Sequence, residues 1–359
     1  MVLDFAKEAI NNADSHSINF DELKAGKANI KVVGCGGMGC NSVTWLFNKG
    51  INGATIFGMN TDALHLSVTK ADEKFLLGKE LTRGLGCGGN PQRGREAAKE
   101  SLSEIKKAVV GADMVFVIAG MGGGSGTGMA PVVAQLAKES GSVVIGVVTM
   151  PFESEKARVD KAEFGLQELR EVTDTCIVLD NNRLVDIAGQ LPIEQAFAVA
   201  NELVSTMIKG IVETITLPSL INLDYADVSA IMRNGGVAVI GIGESDSTSD
   251  RVTESVRQAL THPLLDVDYK GATGALIHVT CGPDLKLEEF DIIGRLVSEN
   301  LSPDAQVIIG ARISKDFVGK VRVITIMTGV HSPYVLGKSV EETAMPRSRE
   351  ISDLGIEIL

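Results

Sequence analysis

The chain has 359 residues, of which 44% are hydrophobic and 22% charged, with a net charge of −12 at neutral pH. That length allows two domains of unequal size, and the composition is ordinary for a globular protein. The acidic balance argues against binding nucleic acid, whose phosphates want a basic surface, and its plainest consequence is solubility. No apolar run approaches the roughly 20 residues of a membrane span, and Met1–Ile10 lacks a secretory apolar region. A cytoplasmic protein without direct membrane insertion is therefore expected. Five cysteines (Cys35, Cys40, Cys87, Cys176, Cys281) lack zinc spacing and predict reduced thiols, and the five histidines form no ligand pattern.

Residues 1–28 read as a polar, partly helical extension. From Asn29 a strand–loop–helix rhythm begins: Ile30–Val33 is a strand, Gly39–Asn48 a helix, Thr55–Met59 a strand and Gln92–Val109 a helix. Met114–Ala119, Val143–Thr149 and Cys176–Leu179 follow as strands with helices between them. Near-continuous apolar strands alternating with helices predict an α/β fold, here a Rossmann-like parallel-sheet nucleotide domain over 29–192 with right-handed crossovers. Phe197, Ala200, Val204, Met207 and Ile211 then keep helical spacing, predicting a central helix over 193–216, roughly 30 Å or more in length. A second, smaller α/β domain is expected over 217–330. Its strands are Val237–Ile242, Ala275–Cys281, Gln306–Arg312 and Val321–Met327, with helices near Asp250–Thr261 and Leu287–Leu301. Periodicity stops at His331, so 331–359 is expected to be a disordered tail ending in the acidic-apolar stretch Asp353–Leu359, a candidate recognition peptide.

Gly122-Gly123-Gly124-Ser125-Gly126-Thr127-Gly128 lies between an apolar strand and a helix-like run from Met129 to Glu139. Glycine lets the backbone approach a ligand closely, and a helix opening presents unpaired N–H groups and a positive dipole end. A di- or triphosphate suits such a loop. Gly34-Cys35-Gly36-Gly37-Met38-Gly39 fits G-x-G-x-x-G, the dinucleotide fingerprint, which wants an acid about 20 residues on. The nearest acid at the next strand end is Asp62, in Asn60-Thr61-Asp62-Ala63, a poor fit. An NAD(P) oxidoreductase is the competing reading, yet it has no use for a second glycine loop. Two such loops predict one triphosphate gripped from two sides, and neither carries the lysine of a G-x-x-x-x-G-K-[ST] P-loop. A third glycine loop, Thr82–Pro91, precedes the helix at 92. Asp224 and Asp227 lie three apart on one helical face, with Asn222 just before. They suit a helix N-terminal cap and, equally, a pair that polarises a water and helps hold a cation.

The 122–128 loop resembles the signature shared by tubulin and by FtsZ, the latter being the bacterial and archaeal cell-division GTPase. Similarity to the FtsZ family runs from about Asn29 to Gly329, through Gly34–Asn41, Asn60–Ala63, Thr82–Pro91, Gly120–Gly128, Pro151-Phe152, Asn181 and Asn222–Asp227. The resemblance implies a tubulin/FtsZ-like fold and a GTPase using GTP/GDP and Mg2+. It implies that Gly36, Gly37 and Asn41 contact phosphates, with Gly122, Gly123, Gly124, Ser125, Gly126, Thr127 and Gly128 as the opposite cradle. Asp62, Ala63, Gly86, Gly88 and Asn90 would surround the γ-phosphate and its magnesium, and Glu155 and Arg158 would reach the ribose and phosphate side. Asn181 and Asn201 would bond guanine, with Phe197 stacked on it; an amide oxygen accepts from guanine N–H groups that adenine lacks.

The resemblance further implies that Asp224, Asp227 and Asn222 reach the nucleotide of the next subunit. GTP is then cleaved only at a head-to-tail contact, and repeating that contact builds a filament, the ring at mid-cell. A membrane-tethering adaptor, bound through the tail, is the implied partner. A tubulin-like cell-shape or regulatory protein is the alternative. Two departures stand out. The family pattern Pro-Phe-x-x-Glu-Gly-x-x-Arg is one residue shorter here, reading Pro151-Phe152-Glu153-Ser154-Glu155-Lys156-Ala157-Arg158, and lacks the glycine. The tail lacks the Pro-x-Phe-Leu type peptide and looks archaeal.

Overall fold

The computed structural model of the chain describes residues 28–330 apart from 218, 222, 234–235, 262–268, 270 and 300, and apart from the side chains of 186 and 187. The expected tail and nearly all of the expected N-terminal extension lie outside the described residues, as does Asn222.

β1 (Ile30–Cys35) runs directly into α1 (Gly36–Lys49), followed by β2 (Ala54–Asn60), α2 (Ala63–Val68), β3 (Glu73–Leu76) and α3 (Lys79–Thr82). Next come α4 (Pro91–Glu100), α5 (Leu102–Val109), β4 (Met114–Gly120), α6 (Ser125–Glu139), β5 (Val143–Met150), α7 (Ala157–Val172), β6 (Thr175–Asp180) and α8 (Asn181–Ala188). The long α9 (Ile193–Thr216) leads to α10 (Tyr225–Met232), β7 (Gly236–Ser245), α11 (Arg251–Leu260), β8 (Gly274–Cys281), α12 (Leu287–Ser298), β9 (Gln306–Ile313) and β10 (Val321–Thr328). The strands form one sheet in the order β3-β2-β1-β4-β5-β6-β7-β10-β8-β9. Only β10 runs antiparallel to its neighbours. The join between the two halves is narrow: β6 meets β7 only over Thr175–Ile177, whereas β7 pairs with β10 along Ala238–Ser245.

Both faces of the sheet are covered, which is why strands such as Met114–Gly120 read as unbroken apolar runs. On one face Ile30, Val32, Phe116 and Ile145 pack with Leu46 of α1 and with Val204, Met207 and Ile211 of α9. This core continues through Ile240, Leu276 and Ile324 into the second half. On the other face the core is split, one part centred on Val33, Val115 and Val144, the other on Val239, Ile277 and Val323. Helix α9 thus spans both halves, and its 24 residues are about 36 Å long.

Local departures from the sequence reading have physical causes. Helices α1 and α6 begin at Gly36 and Ser125, three to four residues earlier than the apolar periodicity suggested, because glycines carry no periodicity. The single helix expected over Gln92–Val109 breaks at Ser101, whose Oγ accepts from the Gly78 N–H at 2.9 Å. β3, a four-residue edge strand opening on Glu73-Lys74, was not foreseen, being too short and polar for a period-2 signal. All five cysteines are free and buried, and burial raises the Cys40 thiol to about 11, so it stays protonated. Among the described residues, no helix is long and apolar enough to cross a membrane.

One buried base should shape the acid response. His278 of β8 is 4% exposed, its Nδ1 has no hydrogen-bond partner, and burial, with the Arg312 guanidinium adding, lowers its pKa to about 4. Unfolded, the imidazole would titrate near 6.5. Between those values the unfolded chain binds the extra proton, so stability is lost as pH falls from about 6.5 towards 4, at up to ~1.4 kcal/mol per unit. His278→Gln should flatten that part of the profile, read as urea midpoints at pH 7 and pH 5. A variant that loses as much stability as wild type over this interval would refute the assignment.

Candidate active site

The carboxyl ends of β1, β4, β5 and β6, with the first half of α9, enclose a cavity of about 670 Å³. Carboxyl strand ends are where open parallel sheets bind ligands, and the volume suits a nucleotide. Two helices open into it. Gly36, at φ +71, starts α1, and a Cβ there would lie 2.6 Å from the Gly126 nitrogen, so the two glycine turns touch backbone to backbone. Ser125 starts α6, and its first turn presents unpaired N–H groups and a positive dipole end to the cavity. Thr127 Oγ1 in this turn is buried and has no hydrogen-bond partner. Thr127 is not in the cavity wall: its side chain packs towards Gly165 of α7, where a Cβ would meet Thr127 Cγ2 at 2.3 Å.

Of the residues singled out from the sequence, Gly37, Asn41, Gly123, Gly124, Ser125, Gly126, Glu155, Arg158, Asn181, Phe197 and Asn201 line this cavity. Phe197 lies 6.2 Å from Phe152, ring centre to ring centre, at 58°. Asn201 Oδ1 accepts from the buried Ser42 hydroxyl at 2.8 Å and its Nδ2 donates to the Phe197 carbonyl at 3.0 Å. The second lone pair of that oxygen remains for a ligand N–H. Glu155 and Arg158 are ion-paired at 2.6 Å, and the Glu155 carboxylate also accepts from the Phe152 N–H. Lys156, where the family pattern has glycine, sits at φ +36, a conformation glycine takes without strain.

Gly122 and Gly128 belong to the same segment but face protein. A Cβ at Gly122 would meet the Arg158 carbonyl at 2.6 Å, and one at Gly128 the Pro91 carbonyl at 2.1 Å. Asp62, Ala63, Gly86, Gly88 and Asn90 lie beside the cavity rather than in its wall. Asp62 caps α2 by accepting from the His65 N–H, and Asn90 caps α4 by accepting from Gln92 and Arg93. Ala63 donates its N–H to the Gly84 carbonyl, and Gly86 donates to the Thr61 carbonyl, so the third loop is stitched to the end of β2. Thr61 joins it to the cradle as well, its hydroxyl lying 2.7 Å from Ser125 Oγ and 3.2 Å from Cys87 Sγ.

Thr61 and Ser42 were missed as organisers of the site, and Met38, Met121, Thr149 and Ala200 as part of its wall. Helical spacing had already picked out Ala200, as an apolar position of α9. A buried hydroxyl that links loops distant in sequence leaves no sequence signal.

Asp224 and Asp227 are not part of the cavity. Asp224 is exposed and caps α10, accepting from the Asp227 N–H at 2.8 Å. Helix α10 sits at the opposite end of the sheet. Tyr225 donates to the carbonyl of Asp113, just before β4, and the Met232 carbonyl accepts from Thr175 at the start of β6. The cavity opens at the far ends of these strands. The seven residues of β4 alone separate the two sites by about 20 Å.

Fold and cavity define a tubulin-type nucleotide-binding protein. Residues 29–189 match the Tubulin/FtsZ family GTPase domain, and residues 236–331 match the FtsZ family C-terminal domain. The chain is 51% identical to Cell division protein FtsZ 2 of Methanocaldococcus jannaschii over 343 residues, 95% of this chain and 90% of that protein. It is 52% identical to Cell division protein FtsZ 1 of Thermococcus kodakarensis over 318 residues, 88% of this chain and 85% of that one. A solved M. jannaschii structure, described as an empty FtsZ dimer, superposes with TM-score 0.81 at 52% identity, covering 86% of this chain and 90% of the other. CetZ2 of Haloferax volcanii, 22% identical with TM-score 0.74 over 88% of this chain and 96% of its own, shares the fold. The chain belongs to the FtsZ family and is a GTPase that binds guanine nucleotide. The NAD(P) oxidoreductase reading of Gly34–Gly39 falls away: that segment packs against the Gly122–Gly128 turn beside one cavity of a Tubulin/FtsZ family GTPase domain.

Proposed function

We propose that this GTPase polymerises head to tail and hydrolyses GTP at the junction between subunits, forming the cell-division ring. The observation that carries the reading is the separation just described. A carboxylate pair at one end of the sheet and a phosphate-type cavity at the other cannot meet within one chain. Stacked head to tail, the α10 end of one copy reaches the cavity of the next, a heterologous contact that does not close and so continues as a filament. Asp224 and Asp227, with Asn222, then position the attacking water. The M. jannaschii relative solved as a dimer supports self-association.

In this reading the turns at Gly36–Asn41 and Gly122–Gly128 hold the phosphates, and Asn181, Asn201 and Phe197 hold the guanine. The Asp62 and Gly86–Asn90 segments flank the γ-phosphate. Among the described residues no cluster of three or more acids, histidines or cysteines forms a protein-made cation site. Mg2+ keeps several waters and binds through phosphate oxygens with one or two carboxylates at most, and Asp62, just after β2 and beside the cavity, is the nearby carboxylate in this reading. Bound there, the cation would neutralise charge on the β- and γ-phosphates. Residues 29–192 would act as the GTP-binding domain, 193–216 as the central helix, and 217–330 as the activation and polymerisation domain. Attachment to the membrane would run through an adaptor that binds the tail, with the ring at mid-cell in the cytoplasm.

The test is GTP turnover per subunit against protein concentration, with light scattering recorded in the same cuvette and ATP as control. Turnover should appear only above a threshold and rise together with scattering. Turnover per subunit that stays flat would mean each chain hydrolyses alone. Filaments without appreciable turnover would favour a tubulin-like role in shape or regulation.

A further inference from the structure

We propose that His65 is a positioning residue that sets which end of the Asn41 carboxamide faces the nucleotide. The inference rests on Asn41 being a phosphate contact. Asn41 lies on α1 at the cavity wall, while His65 reaches across to it from the short helix α2. A carboxamide has a donor end and an acceptor end of nearly equal shape, and only the donor end suits a phosphate. Something must choose between them, and a chain of hydrogen bonds does so.

The chain starts at Asn60, 2% exposed at the end of β2. Its Oδ1 accepts from the backbone N–H of Thr61 at 2.8 Å and of Asp62 at 3.3 Å. Turning the amide over would set its NH2 against two backbone donors, so its orientation is fixed. Asn60 Nδ2 therefore donates to His65 Nδ1, 3.3 Å away. That nitrogen must be the unprotonated one, which leaves the ring proton on Nε2. Nε2 lies 3.1 Å from Asn41 Oδ1 and donates to it. With its oxygen engaged on the His65 side, Asn41 turns its Nδ2 donor to the cavity. Without His65 the amide is free to rotate, and its oxygen lone pairs would then oppose the phosphate oxygens. Polarity thus passes from two backbone N–H groups to a side chain at the ligand, through a histidine that touches no phosphate itself.

Four variants and one spectrum test this, using the full chain and GTP binding at fixed Mg2+. His65→Ala should weaken GTP by about three- to tenfold, the range carried by one hydrogen bond. His65→Gln should restore affinity to within about twofold, because its amide offers an acceptor and a donor at a spacing close to that of the two ring nitrogens. Asn41→Ala should cost at least as much as His65→Ala, and the double variant no more than Asn41→Ala alone. Nitrogen-15 NMR of the free protein, with the His65 signals assigned by difference, should show the Nε2–H tautomer. An Nδ1–H tautomer, a His65→Gln no better than alanine, or additive losses in the double variant would overturn the proposal. If Asn41→Ala weakens GTP and His65→Ala does not, the relay alone is wrong. If neither variant changes affinity, the phosphate role of Asn41 is wrong, and the relay falls with it.

Discussion

Asp224→Ala is expected to abolish GTP turnover, by about 100-fold or more, while GTP affinity stays within about twofold. Asp224 lies at the far end of the sheet from its own chain's cavity, so truncating it removes nothing that touches the bound nucleotide. Filaments assembled with GTP should then persist in a sedimentation assay, because the cleavage that weakens the contact no longer occurs. The side chain also caps α10 through the Asp227 N–H, and losing a cap costs about 0.5–2 kcal/mol. Asp224→Asn separates the two roles, since it keeps the cap and removes the negative charge. If turnover depends on the carboxylate, the asparagine variant is as inactive as alanine but as stable as wild type. Loss of GTP binding in either variant would contradict the placement of Asp224 on a neighbouring subunit's site.

Gly124→Val should act at the opposite step, removing GTP binding itself. A Cβ at position 124 would meet Cys87 Cβ at 2.7 Å and the Asn90 nitrogen at 2.9 Å. The branched side chain must therefore push the third loop outward or turn into the cavity. Overpacking of this kind costs about 1–3 kcal/mol. Added to lost phosphate contacts, it should weaken GTP by about 100-fold or more, measured by equilibrium titration with a fluorescent GTP analogue. Gly123→Ala is the companion, because nothing lies within 4 Å of its Cβ although the residue lines the cavity. It should fold with an unchanged melting temperature, so any affinity it loses reports on the ligand rather than on packing. Undiminished GTP affinity in Gly124→Val would mean that this segment is not the cradle.

Much of the molecule was legible in one dimension. The strands with both faces buried read as unbroken apolar runs, and nine of the ten sheet strands were located in this way. The glycine clusters stood out by their density, and the cavity collects Gly37, Gly123, Gly124 and Gly126 from two of them; a Cβ would clash at Gly124 and Gly126 but meets nothing at Gly37 and Gly123. Helix α9 showed its spacing along its whole length. The same stripe, however, does two jobs: Val204, Met207 and Ile211 are core, whereas Phe197 and Ala200 line the cavity. Apolar periodicity registers a face that avoids water and is blind to whether protein or ligand covers it.

By itself, then, the sequence determined the alternation of strands and helices through local periodicity and the two phosphate-type glycine turns through residue type, while the family and the guanine nucleotide came from the resemblance those motifs carry. Tertiary structure alone decided which hydroxyls and amides face one another across chain separations of tens to hundreds of residues. Thr61 meets Ser125, Ser42 meets Asn201, and the Asn60–His65–Asn41 chain forms only once β2, α1 and α2 are packed. It also decided that the Asp224 pair and the cavity lie at opposite ends of one sheet. Strand direction and order set that distance, and both arise from long-range pairing, which leaves no local trace in the chain.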